Sequence, residues 1–249
     1  MKQHSHLIVH IPHSSTVIPK EYRHIYVHPE KLDENILGLT DLYTDELFAN
    51  RGATIVFPLS RLVCDVERFR QKELESMTKL GMWICYTRTP EKEPLAVFDQ
   101  AHKERILTTY YDVHHQKLTE TVRQALAATG HALIIDGHSF PEHLDYYPAG
   151  PCPDMCIGSD PYHTPRYLVA ACREFLESRG YSVAENHPFS GSLVPMDYYQ
   201  QDRRVQSIML EVNRRVYCKK DGRKSERFSA VQRDIQELLA YLEMLTNLK

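Results

Sequence analysis

Three stretches of the chain carry an aliphatic run into residues that can do chemistry. Leu7-Ile8-Val9-His10-Ile11-Pro12 leads into His13-Ser14-Ser15, and Leu133-Ile134-Ile135 leads into Asp136-Gly137-His138-Ser139. Val205 through Leu210 leads into Glu211, with Asn213 and Arg214 just beyond. Near-continuous aliphatic runs are the pattern of strands buried on both faces. In open α/β sheets, ligands gather beyond the carboxyl ends of such strands. His13, His138 and Glu211 therefore point to one shared site. Two imidazoles with a carboxylate make a catalytic zinc set, whose remaining coordination position takes water. A further carboxylate beside that water would act as general base, and arginines would hold an anionic substrate and the developing oxyanion.

Each of these residues also has a plainer use. A strand-end histidine is more often a hydrogen-bonded structural residue than a ligand. Asp41 and Asp45 stand where an acid caps a helix. Glu211 could pair with Arg214 or Arg215, and Arg61 and Arg68 could form surface ion pairs. Position at three strand ends is what favours the site. Asp136 lies two residues before His138, so strand alternation puts both on one side if the strand extends that far, and the carboxylate could orient the imidazole. Neither His13-Ser14 nor His138-Ser139 sits in a G-x-S-x-G elbow, and adjacent strand side chains point apart, so Ser139 reads as structural. There is no HExxH motif and no glycine-rich phosphate loop.

The elements that must position these residues alternate. Strands are expected at 7–11, 53–57, 62–66, 132–136, 181–184 and 205–212. Thr40 reads as the N-cap of a helix through Ala49, and residues 20–35 read as a charged connection. A long helix is expected over 98–129, stopped at Gly130, another from Thr164-Pro165 to Ser178 with Pro165 at N1, and an amphipathic one over 226–247. Residues 70–105 are uneven, with a loop or flap around Gly81-Met82-Trp83. Six of the fourteen prolines fall within 141–165, which reads as loop. The alternation argues for an α/β fold with a mixed, mainly parallel sheet between helical layers, as one domain over 1–249.

Composition narrows the class. The 249 residues are 42% hydrophobic and 25% charged, with a net charge of -3, which gives no reason to expect a nucleic acid or an anionic membrane as partner. No apolar run approaches the ~20 residues of a spanning helix, and no signal-type apolar segment precedes the first strand, so a cytoplasmic protein is expected. The six cysteines are scattered without a CxxC pair and read as reduced, buried thiols.

Assembled in order, the motifs resemble the N-formylglutamate amidohydrolase family. They are Ile11-Pro12-His13-Ser14-Ser15 with Ile18-Pro19; Thr40-Asp41-Leu42-Tyr43-Thr44-Asp45-Glu46-Leu47; and Ser60-Arg61-Leu62-Val63-Cys64-Asp65-Val66-Glu67-Arg68. Tyr111 through His115, Ile135 through Ser139, Asn186-His187-Pro188-Phe189-Ser190-Gly191 and Gln206 through Arg214 complete the set. The resemblance implies a three-layer α/β/α, zinc-peptidase-like fold and hydrolysis of the N-acyl amide bond of an amino acid such as N-formylglutamate. It implies one zinc per chain, held by His13, His138 and a carboxylate of the Asp41–Asp45 motif, Asp41 being favoured. Zinc-bound water would be the nucleophile and Glu211 the general base. Arg61 matches a catalytic position; Arg68 and Arg214 match substrate-binding ones, with Asn186 and His115 as secondary candidates. Two positions depart from the family pattern. Glu67 replaces the usual Asn, and a carboxylate facing the substrate there would repel a dicarboxylate; Ser15 stands where glycine is common. A zinc carboxypeptidase or cell-wall amidase acting on a peptide is the second enzymatic reading, and a non-catalytic metal- or ligand-binding module the third.

Overall fold

A computed structural model describes residues 5–50, 52–142 and 152–247. The chain divides into two compact units, one of Met1–Ile11, Tyr43–Val56 and Leu118–Lys249, the other of Pro12–Leu42 and Phe57–Lys117.

The first unit contains a six-stranded sheet. Its strands are β1 (Leu7–Ile11), β2 (Ala53–Val56), β3 (Ala132–Phe140), β4 (Met155–Gly158), β5 (Val183–Glu185) and β6 (Val205–Asn213). They lie in the order β2-β1-β3-β6-β4-β5, all pairings parallel except that of β4 with β6. The mixed, mainly parallel sheet expected from the sequence is thus present. Alternation divides its faces. Leu7, Val9, Ile11, Leu133, Ile135, Ile208, Leu210 and Val212 pack on one face with α5 (Arg166–Ser178) and α6 (Phe228–Asn247). Ile8, Ala132, Ile134 and Val205 pack on the other with Leu118, Val122 and Ala125 of α4 (Asp112–Thr129). Along this second face each central strand turns from aliphatic to polar: His10 on β1, Asp136 and His138 on β3, Ser207 and Glu211 on β6, all buried. Gly137 faces the other way, where an added Cβ would lie 2.8 Å from Ile11 Cδ1 and 2.9 Å from Phe48 Cγ. Glycine between the acid and the imidazole lets the back of β3 close on its core.

Strand β3 is longer than expected and includes His138, so Asp136 and His138 do share a face. The proline-rich region yields β4, whose four residues are all buried; the expectation for residues 143–151 lies outside the described residues, as do those for 1–4 and Arg51. Pro165 is the N-cap of α5, one position before the expected N1.

The second unit has no named strand among its described residues. Its core gathers Ile18, Tyr22, Ile25, Leu62, Val63, Ile84, Tyr86, Phe98 and Ile106. Three expectations are corrected here. Leu62–Val66 is a turn, not a strand: the Val63 and Cys64 N–H groups both donate to Ser60 O, at 2.9 and 3.3 Å. The segment 20–35 is more than a charged connection: it contains 3₁₀ helices at Lys20–Ile25 and Pro29–Lys31 and the start of α1 (Leu32–Leu39). Thr40 closes α1, its N–H donating to Ile36 O, and so does not open a helix. The next helix, α2 (Thr44–Leu47), is one turn long and belongs to the first unit. Around Gly81-Met82-Trp83 the chain is a loop, as expected, and Met82 through Tyr86 are buried in the second unit's core. The 98–129 helix is real but composite: α3 (Gln100–Ile106), a π segment at Leu107–Tyr111, then α4, with Gly130 at φ 85° beyond. Among the described residues no helix is long and apolar enough to cross a membrane.

One buried histidine of the first unit sets a pH limit. His6 is 1% exposed, its Nε2 lies 2.6 Å from Thr246 Oγ1, and its ring centroid lies 4.2 Å from that of His131. Burial first, then the neighbouring His131, pushes its pKa down to about 4. The unfolded chain therefore takes a proton near pH 6.5 that the folded chain refuses until about pH 4. Stability should be full above pH 6.5 and decline as pH falls towards 4, by at most ~3 kcal/mol from this residue. Denaturant melts of wild type and His6→Gln at pH 7 and 5 check this; the pH-dependent loss should shrink in the variant, and an equal loss in both would assign it elsewhere.

Candidate active site

The second unit carries His13, Asp41, Arg61, Arg68 and His115, and the organiser of this group is a residue that sequence reasoning passed over. Asp65 is fully buried, held by the 60–66 turn with its N–H on Ile84 O at 2.8 Å. Its Oδ1 accepts from Glu67 N at 2.9 Å and lies 2.9 Å from His13 Nε2. Its Oδ2 lies 2.9 Å from Arg61 Nη2 and 3.4 Å from Arg68 Nε, and also accepts the Tyr86 hydroxyl hydrogen. Tyr86 in turn accepts from Arg61 at 3.2 Å and Arg68 at 3.1 Å. Burial would push the Asp65 carboxyl up, but Arg68, Arg61 and His13 beside it hold it well below the usual carboxylate range.

That ionised carboxylate orients the His13 ring. A carboxylate only accepts, so the imidazole nitrogen facing it donates, and the ring is turned so that Nδ1 faces Asp41. Nδ1 lies 3.6 Å from Asp41 Oδ2, and both residues are buried, at 2% and 4% exposed. An imidazole nitrogen and a carboxylate oxygen this close in a buried place could hold a metal ion. An imidazole backed by a carboxylate is also the usual form of a metal-ligating histidine. Asp41 is held by its own N–H on His13 O at 3.0 Å, which ties the two together through the backbone. Its Oδ1 lies 3.9 Å from Arg61 Nη1. Histidine nitrogen and carboxylate oxygen are the donor types that could hold a metal ion here.

His115 is placed differently from the candidates around Asp65. Its Nε2 lies 2.8 Å from Val66 O and its ring packs, tilted by 38°, with its centroid 4.3 Å from that of Tyr111, whose hydroxyl donates to Arg68 O at 2.6 Å. Together His115 and Tyr111 brace the backbone that carries Arg68.

The first unit carries His138, Glu211, Asn186 and Arg214. His138 on β3 and Glu211 on β6 are register partners, so their side chains leave neighbouring strands on the same face. Here too the histidine has a buried acid behind it: His138 Nε2 lies 3.3 Å from Asp136 Oδ1. Burial would raise the Asp136 carboxyl, while His138 and His10 keep it well below its ordinary range. Asn186 adopts a left-handed φ of 53°, its amide accepting from Ser159 N at 2.8 Å and donating to Ser159 Oγ at 2.7 Å. It thereby anchors the start of the loop that runs back over β4 and β6. Arg214 opens a 3₁₀ turn just past β6.

Sequence reasoning missed Asp65, Tyr86 and His10. An acid flanked by arginines four residues before and three after, inside an apolar stretch, was the available signal for Asp65. An imidazole interrupting Leu-Ile-Val-x-Ile was the signal for His10. Tyr86 carried none.

A mixed α/β/α sheet with polar residues gathered at the carboxyl ends of its central strands, and a buried carboxylate behind a histidine in each unit, has the character of a hydrolase of that fold class. The N-formylglutamate amidohydrolase family model matches residues 5–218, and the chain belongs to that family, whose members hydrolyse amides. Among solved structures, N-formylglutamate amidohydrolase from Ralstonia eutropha JMP134 has a TM-score of 0.85 at 24% identity, covering 97% of this chain and 94% of its own. A gene product of Agrobacterium tumefaciens has a TM-score of 0.69 at 17% identity, covering 98% and 92%. At these identities the likeness concerns the fold. No curated protein matches the sequence.

Proposed function

We propose that the chain is a zinc-dependent amidohydrolase that cleaves the N-acyl, N-formyl-type amide bond of an amino acid, with His13, Asp41 and His138 as ligands of one zinc per chain. The observation that carries the metal is the His13 Nδ1–Asp41 Oδ2 approach at 3.6 Å, with the far side of the imidazole fixed by Asp65. Zinc bound there would polarise the acyl carbonyl and acidify water.

The chain's own residues then have distinct tasks. Glu211 takes the proton of the attacking water and returns it to the leaving amine nitrogen. Arg61, fixed by Asp65 and Tyr86, stabilises the oxyanion as the carbonyl becomes tetrahedral. Arg68 and Arg214 hold the substrate carboxylate, while His115 and Asn186 support the segments that present them. Glu67, a carboxylate where the family motif commonly has an amide, disfavours a second carboxylate on the substrate.

The test joins metal analysis to a panel of N-formyl and N-acetyl amino acids and short peptides, including N-formylglutamate and N-formylglutamine. One zinc per chain and turnover of N-formyl amino acids are expected. A metal-replete protein that binds no divalent metal at neutral pH overturns the reading, and turnover of peptides alone moves it to a peptidase.

A further inference from the structure

His10 has no role in the site described so far, yet it is a fully buried imidazole in the middle of an aliphatic strand. Burying it costs free energy unless its polar atoms are used. Nδ1 lies 2.8 Å from Asp136 Oδ1, and the two residues are register partners on β1 and β3. The same Oδ1 lies 3.3 Å from His138 Nε2, and Oδ2 accepts from Leu193 N at 3.0 Å. Asp136 is itself fully buried, so its orientation is set by these contacts within the protein.

The Leu193 donor is held as firmly as the strand donor. Ser207 on β6 donates to Leu193 O at 2.8 Å and its hydroxyl also meets that of Ser192. At Gly158 on β4 an added Cβ would lie 2.4 Å from Gly191 O, so the loop rests directly on the sheet. His10 and the Leu193 amide thus grip the carboxylate from two sides, leaving it one direction in which to meet His138.

We propose that His10 is a positioning residue of the metal centre: with Leu193 N–H it fixes Asp136, and Asp136 fixes the His138 imidazole for metal binding. The inference rests on the proposed role of His138 as a ligand. Partners one step removed from a metal contribute about 10–100-fold in affinity, and here the contribution passes through one more hydrogen bond.

The geometry supplies its own control. Asparagine places an amide nitrogen close to the position of histidine Nδ1, whereas glutamine places one close to Nε2. Zinc affinity, measured by chelator competition on full-length His10→Asn, His10→Gln and His10→Leu with folding checked by circular dichroism, separates the roles. His10→Asn should stay within a few-fold of wild type; His10→Gln and His10→Leu should weaken zinc binding about 10-fold or more. If His10→Leu does not fold, the Asn–Gln pair decides. Equal zinc affinity in all folded variants overturns the positioning role while leaving the zinc reading intact, and so does a His10→Asn loss as large as that of His10→Gln. A wild-type protein that binds no zinc overturns both.

Discussion

His13→Ala and His138→Ala are each expected to abolish stoichiometric zinc binding, weakening it by more than 100-fold, while the protein stays folded. The case for a folded variant is as important as the case for metal loss. Removing His13 takes one partner from Asp65, but Arg61, Arg68, Tyr86 and the Glu67 N–H remain on that carboxylate. Removing His138 likewise leaves Asp136 with His10 and the Leu193 N–H. Neither substitution strands a buried charge, which is the usual cause of a large loss of stability at such positions. The loss of an imidazole ligand should exceed the ~10–100-fold that an outer partner contributes, so activity and metal content should fall together. Metal analysis after dialysis, set beside a thermal melt of the metal-free protein, checks it. Variants that keep one zinc per chain would remove these histidines from the ligand set.

The sequence was legible where a residue's neighbours along the chain decide its structure. Strands β1, β3 and β6 declared themselves because they are buried on both faces and so are aliphatic almost throughout. Helix α6 did so because its apolar residues recur at helical spacing. Leu62–Val66 misled for a related reason: four buried apolar residues around Asp65 look like a strand, but they fill the second unit's core from a turn whose N–H groups return to Ser60. Helix α1 was hidden because its apolar positions, Leu32, Ile36 and Leu39, are set among acids. Strand β4 is only four residues long and lies between prolines, where composition argues for loop.

The same division runs through the site. His13, His138 and Glu211 were readable because each comes directly after an apolar run, whether the strand has ended there or continues. Asp41 came from motif resemblance, not from any local pattern. Asp65 and His10 act through contacts made 52 and 126 residues away, to His13 and Asp136, and no window along the chain contains both partners. The residues that would touch the reacting atoms were therefore more visible than the residues that orient them. Tertiary contacts, not local periodicity, determine the orientation of the His13 ring and the setting of Asp136.

Glu211→Gln is expected to lower turnover by about 100-fold or more, the contribution of a general acid–base group, with zinc content and fold unchanged. Glu211 lies in the middle of the sheet, 7% exposed, with His138 as its register partner on β3 and Cys156 as its partner on β4. Glutamine has nearly the same volume, so the neighbouring strands need not move. It keeps an acceptor oxygen but cannot take a proton. A residue that merely paired with a nearby base or filled space would lose little on this change, whereas a proton acceptor loses its function. The effect should fall on kcat with KM nearly unchanged, because the proton moves in the transition state and not in the bound ground state. Glu211→Ala adds a control of opposite kind: it opens a cavity beside His138 and should lower stability as well as turnover. Steady-state kinetics on the best N-formyl amino acid of the panel, paired with metal analysis of the same preparations, gives both readouts. Turnover of Glu211→Gln within a few-fold of wild type would place the base on another carboxylate. Asp65 is committed to two arginines and a tyrosine and Asp41 is the proposed ligand, so Glu67, whose N–H lies on Asp65 Oδ1, is the next carboxylate to replace.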